Sequence, residues 1–223
     1  MNYYKITHKT ETHNGLKYKT GLNVDPQPFN PHGDCNEGGI YFAKEDIFAF
    51  LSYSCWIREV TLPPDARVIE EQGTPRKWKA DKVLLGERKE ITAKVVRELL
   101  AEGADPKVDD SRALWWAAVR GHADCVELLI PVSDPTAGGS CALHSAAHNG
   151  HADCVELLIP VCDPKAGGSY ALWCAAVHGH TDCVELLIPV SDPKDFGSAL
   201  SRAAWSGQTD CVKLLEEAIQ EVR

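Results

Sequence analysis

Residues 142–164 read ALHSAAHNGHADCVELLIPVCDP, and this stretch is one copy of a recurring unit. ALWWAAVRGHADCVELLIPVSDP precedes it at 113–135, and ALWCAAVHGHTDCVELLIPVSDP follows at 171–193. A fourth copy, ALSRAAWSGQTDCVKLLEEA, occupies 199–218, so successive starts lie 29, 29 and 28 residues apart. Upstream, AKVVRELLAEGADP at 93–106 matches only the second half of the unit. Self-similarity at such a period marks a solenoid. Residues 91–223 are therefore expected to hold half a repeat plus four.

Each unit reads as two short helices. Leu143, Ala146 and Ala147 fall at i, i+3 and i+4, one apolar stripe, and Asn149-Gly150 breaks it. Asp153 suits an N-cap or first turn ahead of Val155, Leu157, Leu158 and Ile159, and Pro160 stops the second helix. The small Ala-Ala pair lets the helices approach closely. One such hairpin cannot bury its apolar face alone, whereas a stack can.

CALHSAAHNGHADCVELLIP resembles the ankyrin TPLHxAAxxGHxxxVxxLL pattern, and AEGAD at 101–105 resembles that family's helix ending. The period here is shorter than the 33 residues of the family. The missing residues fall in the linker VSDPTAGGSC, where ankyrin repeats carry a projecting hairpin, so short turns are expected. The abbreviated LIPVSDPKA form is similar to arrays of phages, giant viruses and some bacteria. The resemblance implies a protein-binding module, and in that context a viral or phage protein that engages a host or defence factor.

The chain has 223 residues, 44% apolar and 25% charged, which is ordinary globular composition. No apolar run approaches the ~18 residues of a membrane span. MNYYKITHKTE has no apolar h-region, so no signal peptide is expected. Nine cysteines without a CxxC pair suit a reducing compartment, and a cytoplasmic location, the host cytoplasm for a viral protein, is expected. Residues 91–223 carry 10 Lys+Arg against 19 Asp+Glu and so hold the whole net charge of −9. That sign disfavours nucleic acid and suggests a protein partner with a basic surface.

Residues 1–90 read as a small α+β domain, so the fold class is an α+β N-terminal domain followed by an all-α ankyrin-like repeat solenoid. Strands are expected at Tyr3–Thr7, Leu16–Thr20, Gly39–Ala43, Trp56–Leu62, Ala66–Glu70 and Lys79–Leu85. A helix is expected at 45–53, a turn at His13-Asn14-Gly15 and a junction at Gly86–Glu90. The succession YKIT, GLKYKTGLNVD, GGIYFAKEDIFAFL, CWIREVTLPPDA resembles a domain that precedes ankyrin repeats in giant-virus proteins. Separately, Gly38–Ala43 (GGIYFA) is similar to the GxGIYFAD motif of poly(ADP-ribose) polymerases and related ADP-ribosyltransferases. That likeness implies a ligand pocket at Tyr41, whose counterpart stacks on nicotinamide. It does not extend to the first strand, where Lys5-Ile6-Thr7-His8 lacks the His-Gly-Ser/Thr order, and only Glu59 and Asp81 are available as a third-strand acid. An ADP-ribosyltransferase-like enzyme or a small-ligand domain aimed by the repeats is thus the alternative to a non-enzymatic binder. The enzyme requires an NAD-sized cleft at Tyr41, and the binder a filled core.

No catalytic residues, cofactor or metal site are assigned. His8, His13, His32, Cys35 and Cys55 match no zinc spacing. One ion cannot easily bridge the row His122, His151, His180, whose rungs lie ~8–10 Å apart, and the ankyrin resemblance implies that these histidines order the turn between helices. Cys125, Cys154, Cys183 and Cys211 read as small buried residues. Trp115 and Trp173 stand where His144 is retained. The partner-binding candidates are first-helix residues that vary between copies: Trp116, Val119, Arg120, His148, Asn149, Val177, His178 and Trp205. Aromatic and arginine side chains on an otherwise polar face suit an interaction surface.

Overall fold

The structure is a computed structural model that describes residues 2–32, 38–52, 55–71 and 73–222, with Cys55 described by its backbone alone. It divides into two compact units, 1–112 and 113–223.

The first unit holds strands β1 Tyr3–His8, β2 Thr12–His13, β3 Leu16–Lys17, β4 Gly21–Val24, β5 Ile40–Phe42, β6 Cys55–Thr61, β7 Val68–Glu71, β8 Lys77–Ala80, β9 Lys82–Leu85 and β10 Lys89–Glu90, then helix α1 Ala93–Ala101. One antiparallel sheet runs β1-β6-β9-β4 with β10 also on β6, and a second runs β5-β8-β7. Tyr4 and Ala43 exchange two backbone hydrogen bonds of 2.8 Å, which couples β1 to the end of β5. Ile40, Phe42, Ala80, Val83 and Leu85 fill the space between the sheets, with Tyr18 and Val60. Asn14 and Gly15, at φ 47° and 80°, make the two-residue left-handed turn that a tight hairpin requires between β2 and β3.

Several expectations need correction. The helix expected at 45–53 is a single 3-10 turn, Ile47–Phe50. Asp46, which could have capped a helix there, accepts instead from the Arg76 backbone N–H at 2.6 Å, and Leu51 is extended. The strand expected at Lys79–Leu85 is two strands, because Asp81 turns the chain from one sheet into the other while its carboxylate accepts from the Arg67 backbone and guanidinium. The strand expected at Leu16–Thr20 is confined to Leu16–Lys17. Lys89 and Glu90, the last two residues of the expected junction, pair with Ile57 and Trp56, and α1 lies within the first unit.

The helices that follow are α2 Val108–Arg120, α3 Ala123–Leu129, α4 Ala137–His148, α5 Ala152–Leu158, α6 Ala166–His178, α7 Thr181–Leu187, α8 Phe196–Trp205 and α9 Thr209–Glu221. They pair as the repeat requires, and Leu143, Ala146, Ala147, Cys154, Val155 and Leu158 are fully buried, as are their counterparts one repeat later. Ile-Pro ends the second helix of three repeats. Glu216-Glu217 replaces it in the last, where α9 runs on with both acids exposed, the polar outer face a terminal repeat needs.

The linkers are short turns, as expected, and no strand occurs among the described residues beyond 90. Their conformation is specific. Gly138, Gly139 and Ser140 are all left-handed, with φ of 58°, 68° and 68°, and Gly167, Gly168 and Ser169 repeat this. Each linker also holds an Asp-Pro-X turn, in which Asp134, Asp163 and Asp192 accept from the backbone N–H two residues on.

Candidate protein-binding face of the repeats

Two kinds of tie fix one repeat against the next. Ser140 and Ser169 are buried, and their hydroxyls accept from the backbone N–H of Asp163 and Asp192 in the following linker, at 3.1 and 3.0 Å. Ser169 also donates to Asp195 Oδ2 at 2.8 Å. On the other side, His151 Nε2 lies 3.1 Å from Val119 O, and His180 Nε2 lies 3.0 Å from His148 O. A carbonyl only accepts, so each ring carries its proton on Nε2. These histidines therefore reach across to the preceding repeat and do more than order their own turn. The glycine of each Gly-His pair is required from both sides. Gly150 has φ 74°, and a Cβ there would stand 2.5 Å from His180 Nδ1.

The first helices stand on this frame and set the candidate residues. Trp116 and Val119 depart from the expectation: at 4% and 5% exposure they are core and present no surface. Arg120, His148, Asn149 and His178 are exposed, and Val177 is half-buried. Trp205 is 81% exposed, the most exposed large apolar side chain among the described residues.

The exposed candidates join a continuous run. The His148 and His178 rings lie 4.1 Å apart, and His178 Nδ1 is 2.9 Å from Cys174 O. Burial, then the neighbouring His178 and His180, lower the pKa of His148. Tyr170 stacks on Trp173 at 5.3 Å and 14°, and His144 meets Tyr170 edge-on. The Arg202 guanidinium lies 5.3 Å from the Trp173 ring and 5.6 Å from the Trp205 ring. Tyr170, Trp173 and Arg202 were absent from the candidate set. Their signal was the change at equivalent positions from Ser145 and Cys174 to Arg202, and from Cys141 to Tyr170.

Charge is segregated between the two helices of a repeat. The first-helix stretches 113–120, 142–149, 171–178 and 199–206 contain no Asp or Glu. Asp124, Glu127, Asp153, Glu156, Asp182, Glu185 and Asp210 all sit exposed on second helices.

Tyr41 lines a cavity of about 290 Å³ within the first unit, beside the filled core. Its hydroxyl donates to Glu71 Oε1 at 2.9 Å, and the ammonium groups of Lys77 and Lys79 lie 5.0 and 5.2 Å from its ring. The GGIYFA glycines have a local cause: Gly39 has φ 148°, and the buried Lys79 stem occupies the place of its Cβ. Neither candidate acid reaches the cavity. Glu59 pairs with Lys89 at 2.7 Å, and Asp81 with Arg67 at 2.9 Å. Cys35 and the Cys55 side chain lie outside the described residues.

The model of the family of ankyrin repeats (3 copies) matches residues 89–167 and again 160–222, more than half of the chain. The chain belongs to the ankyrin-repeat family. Three proteins of Acanthamoeba polyphaga mimivirus are similar to it. Two carry ankyrin-repeat names and are 36% identical over 129 residues and 32% over 135, which is 54% and 57% of this chain and 42% and 66% of theirs. A third, uncharacterised, is 30% identical over 135 residues, 57% of this chain and 96% of its own length. The chain thus spans less than two thirds of the first two relatives. Its family and its giant-virus relatives agree with the reading of the repeats as a protein-interaction module.

Within the ankyrin array the cysteine row is inert. Burial pushes the Cys125 thiol up to about 12 and those of Cys154 and Cys183 up to about 11, so all stay protonated at neutral pH. The seven cysteines Cys125, Cys141, Cys154, Cys162, Cys174, Cys183 and Cys211 are free thiols. No described helix is long and apolar enough to cross a membrane.

Proposed function

We propose that this ankyrin-repeat chain binds a protein partner through the first-helix edge of its last two repeats, with Trp205 and Arg202 at the centre and Tyr170, Trp173 and His178 around them. The observation that carries this is the 81% exposure of Trp205, with the Arg202 guanidinium 5.6 Å from its ring. Tryptophan and arginine are the residues that most often dominate binding energy. The lack of carboxylates on this edge revises the expected partner. A basic surface complements the acidic second helices, whereas an acidic or neutral surface with apolar side chains complements the edge. In this reading the partner belongs to a host cell and is met in its cytoplasm, a reading to which the giant-virus relatives lend support.

The ADP-ribosyltransferase reading gains little from the geometry. Nicotinamide is cationic in NAD, and the lysines beside Tyr41 repel it. The test is affinity capture from an amoebal lysate with wild-type protein and the Trp205→Ala and Arg202→Ala variants. Proteins retained by the wild type and lost from both folded variants support the edge. Equal retention by all three contradicts it.

A further inference from the structure

The cavity in the first unit has a composition the repeat function does not use. Its walls are apolar and aromatic, among them Ile6, Tyr18, Phe42, Ile47 and Phe50. Among the described residues its charged and titratable lining consists of Lys5, His8, His13 and Lys77 together with tyrosines, with no carboxylate. At about 290 Å³ it lies at the small end of the ~300–1,000 Å³ typical of ligand sites, which suits a one-ring ligand rather than a dinucleotide.

Lys5 is the decisive group. It is buried on β1, its ammonium donates to Tyr41 O at 2.8 Å, and it lies 4.5 Å from the Tyr18 ring centroid. Among the described residues no carboxylate stands within ion-pair distance of it. Its neighbours are otherwise matched: Glu71 faces Lys77 and Lys79, and Glu11 faces Arg58 and Arg88. Buried charges are ordinarily paired, so a lone buried ammonium on the wall of a cavity lacks its counter-ion. Burial accordingly lowers the Lys5 pKa to about 7, against a more distant pull from Asp25. His13 is also lowered, by burial and then by Lys5 and His8.

We infer that this cavity binds a small ring-bearing organic anion, its ring against Tyr18 and Phe42 and its anionic group on Lys5, with Lys77 adding positive charge and the His8 and His13 side chains lining the wall. Tyr41 enters as the residue whose carbonyl aims the Lys5 ammonium, and its ring is part of the wall. The ligand class follows from the apolar walls, the unmatched ammonium and the volume. It does not depend on the repeat edge, so the two can fail separately.

The test is calorimetric titration of the full chain at pH 8 with benzoate, phenyl phosphate and the neutral control benzamide, each in two buffers of different ionisation enthalpy. Binding of either anion at least tenfold tighter than benzamide is expected, with uptake of a proton by the largely neutral Lys5. Lys5→Met, which replaces the ammonium with an apolar group of similar length, should weaken the anion at least tenfold and abolish most of the proton uptake. His8 and His13 are retained in that variant, so uptake that survives unchanged assigns the proton to them and overturns the role of Lys5. Absence of heat with both anions, or equal binding of benzamide, overturns the site. Should Lys5→Met fail to fold, the wild-type preference for anions and its proton uptake decide alone.

Discussion

His180 donates from Nε2 to the carbonyl of His148, 32 residues earlier, while its ring fills the space that a side chain on Gly150 would need. The Gly-His pair that recurs along the sequence is thus a contact between two repeats, and each half makes sense only with its neighbour.

Gly150→Ala should cost roughly 2 kcal/mol, from an unfavourable backbone region and displacement of the ring. His180→Ala should cost about 1 kcal/mol through the lost hydrogen bond. The double variant should be less destabilised than the two together, because removing the ring frees the space. Urea midpoints of the four proteins measure this coupling, and strict additivity would separate the two residues.

Ser169 combines a left-handed φ of 53° with two hydrogen bonds. Ser169→Gly loses the bonds but not the backbone preference. Ser169→Ala loses both. Thermal melting should rank wild type above Ser169→Gly and Ser169→Ala lowest, with about 1 kcal/mol between the variants. Equal melting of the two variants would show that the hydroxyl alone matters.

Much of this frame was legible in the sequence. Alternation of Ala-Ala with Gly-His gave the helix pairs, and the short linker gave a short turn, although the left-handed form of its Gly-Gly-Ser is not readable from residue types alone. The candidate face was less legible. Val119, His148, Val177 and Trp205 occupy one column of the repeat, yet the first is core and the last 81% exposed. Alignment gives the column, whereas exposure depends on what covers each copy. The helix expected at 45–53 failed for a similar reason, since its capping acid is engaged by a residue 30 positions away.

Lys5 makes stability depend on pH. Its pKa falls from 10.5 in the unfolded chain to about 7 when folded. Between these values the unfolded state binds more protons, so stability rises with pH across this window and is lowest below pH 7. Lys5→Met removes that penalty. Its gain in melting temperature should be larger at pH 6 than at pH 10, and a gain independent of pH would exclude Lys5 as the titrating group.

The buried thiols act at the other end of the range. Cys125, Cys154 and Cys183 are raised above their unfolded values by burial, so their contribution is complete below about pH 9 and is lost as pH rises toward 11–12. In the native protein at pH 8 a thiol reagent should leave these three unmodified, and denaturation without reductant should release nine equivalents for the nine cysteines. Fewer than nine would reveal a disulfide.

The central claim is that binding energy sits on the exposed edge at Trp205 and not at the buried Trp116. The most direct measurement compares Trp205→Ala and Trp116→Ala for both partner affinity and melting temperature. Trp205→Ala should weaken binding by about 2 kcal/mol, roughly 30-fold, and leave melting unchanged. Trp116→Ala should lower stability by ~3–5 kcal/mol, as loss of a core aromatic does. Normal binding by Trp205→Ala, with its melting temperature intact, would contradict the account.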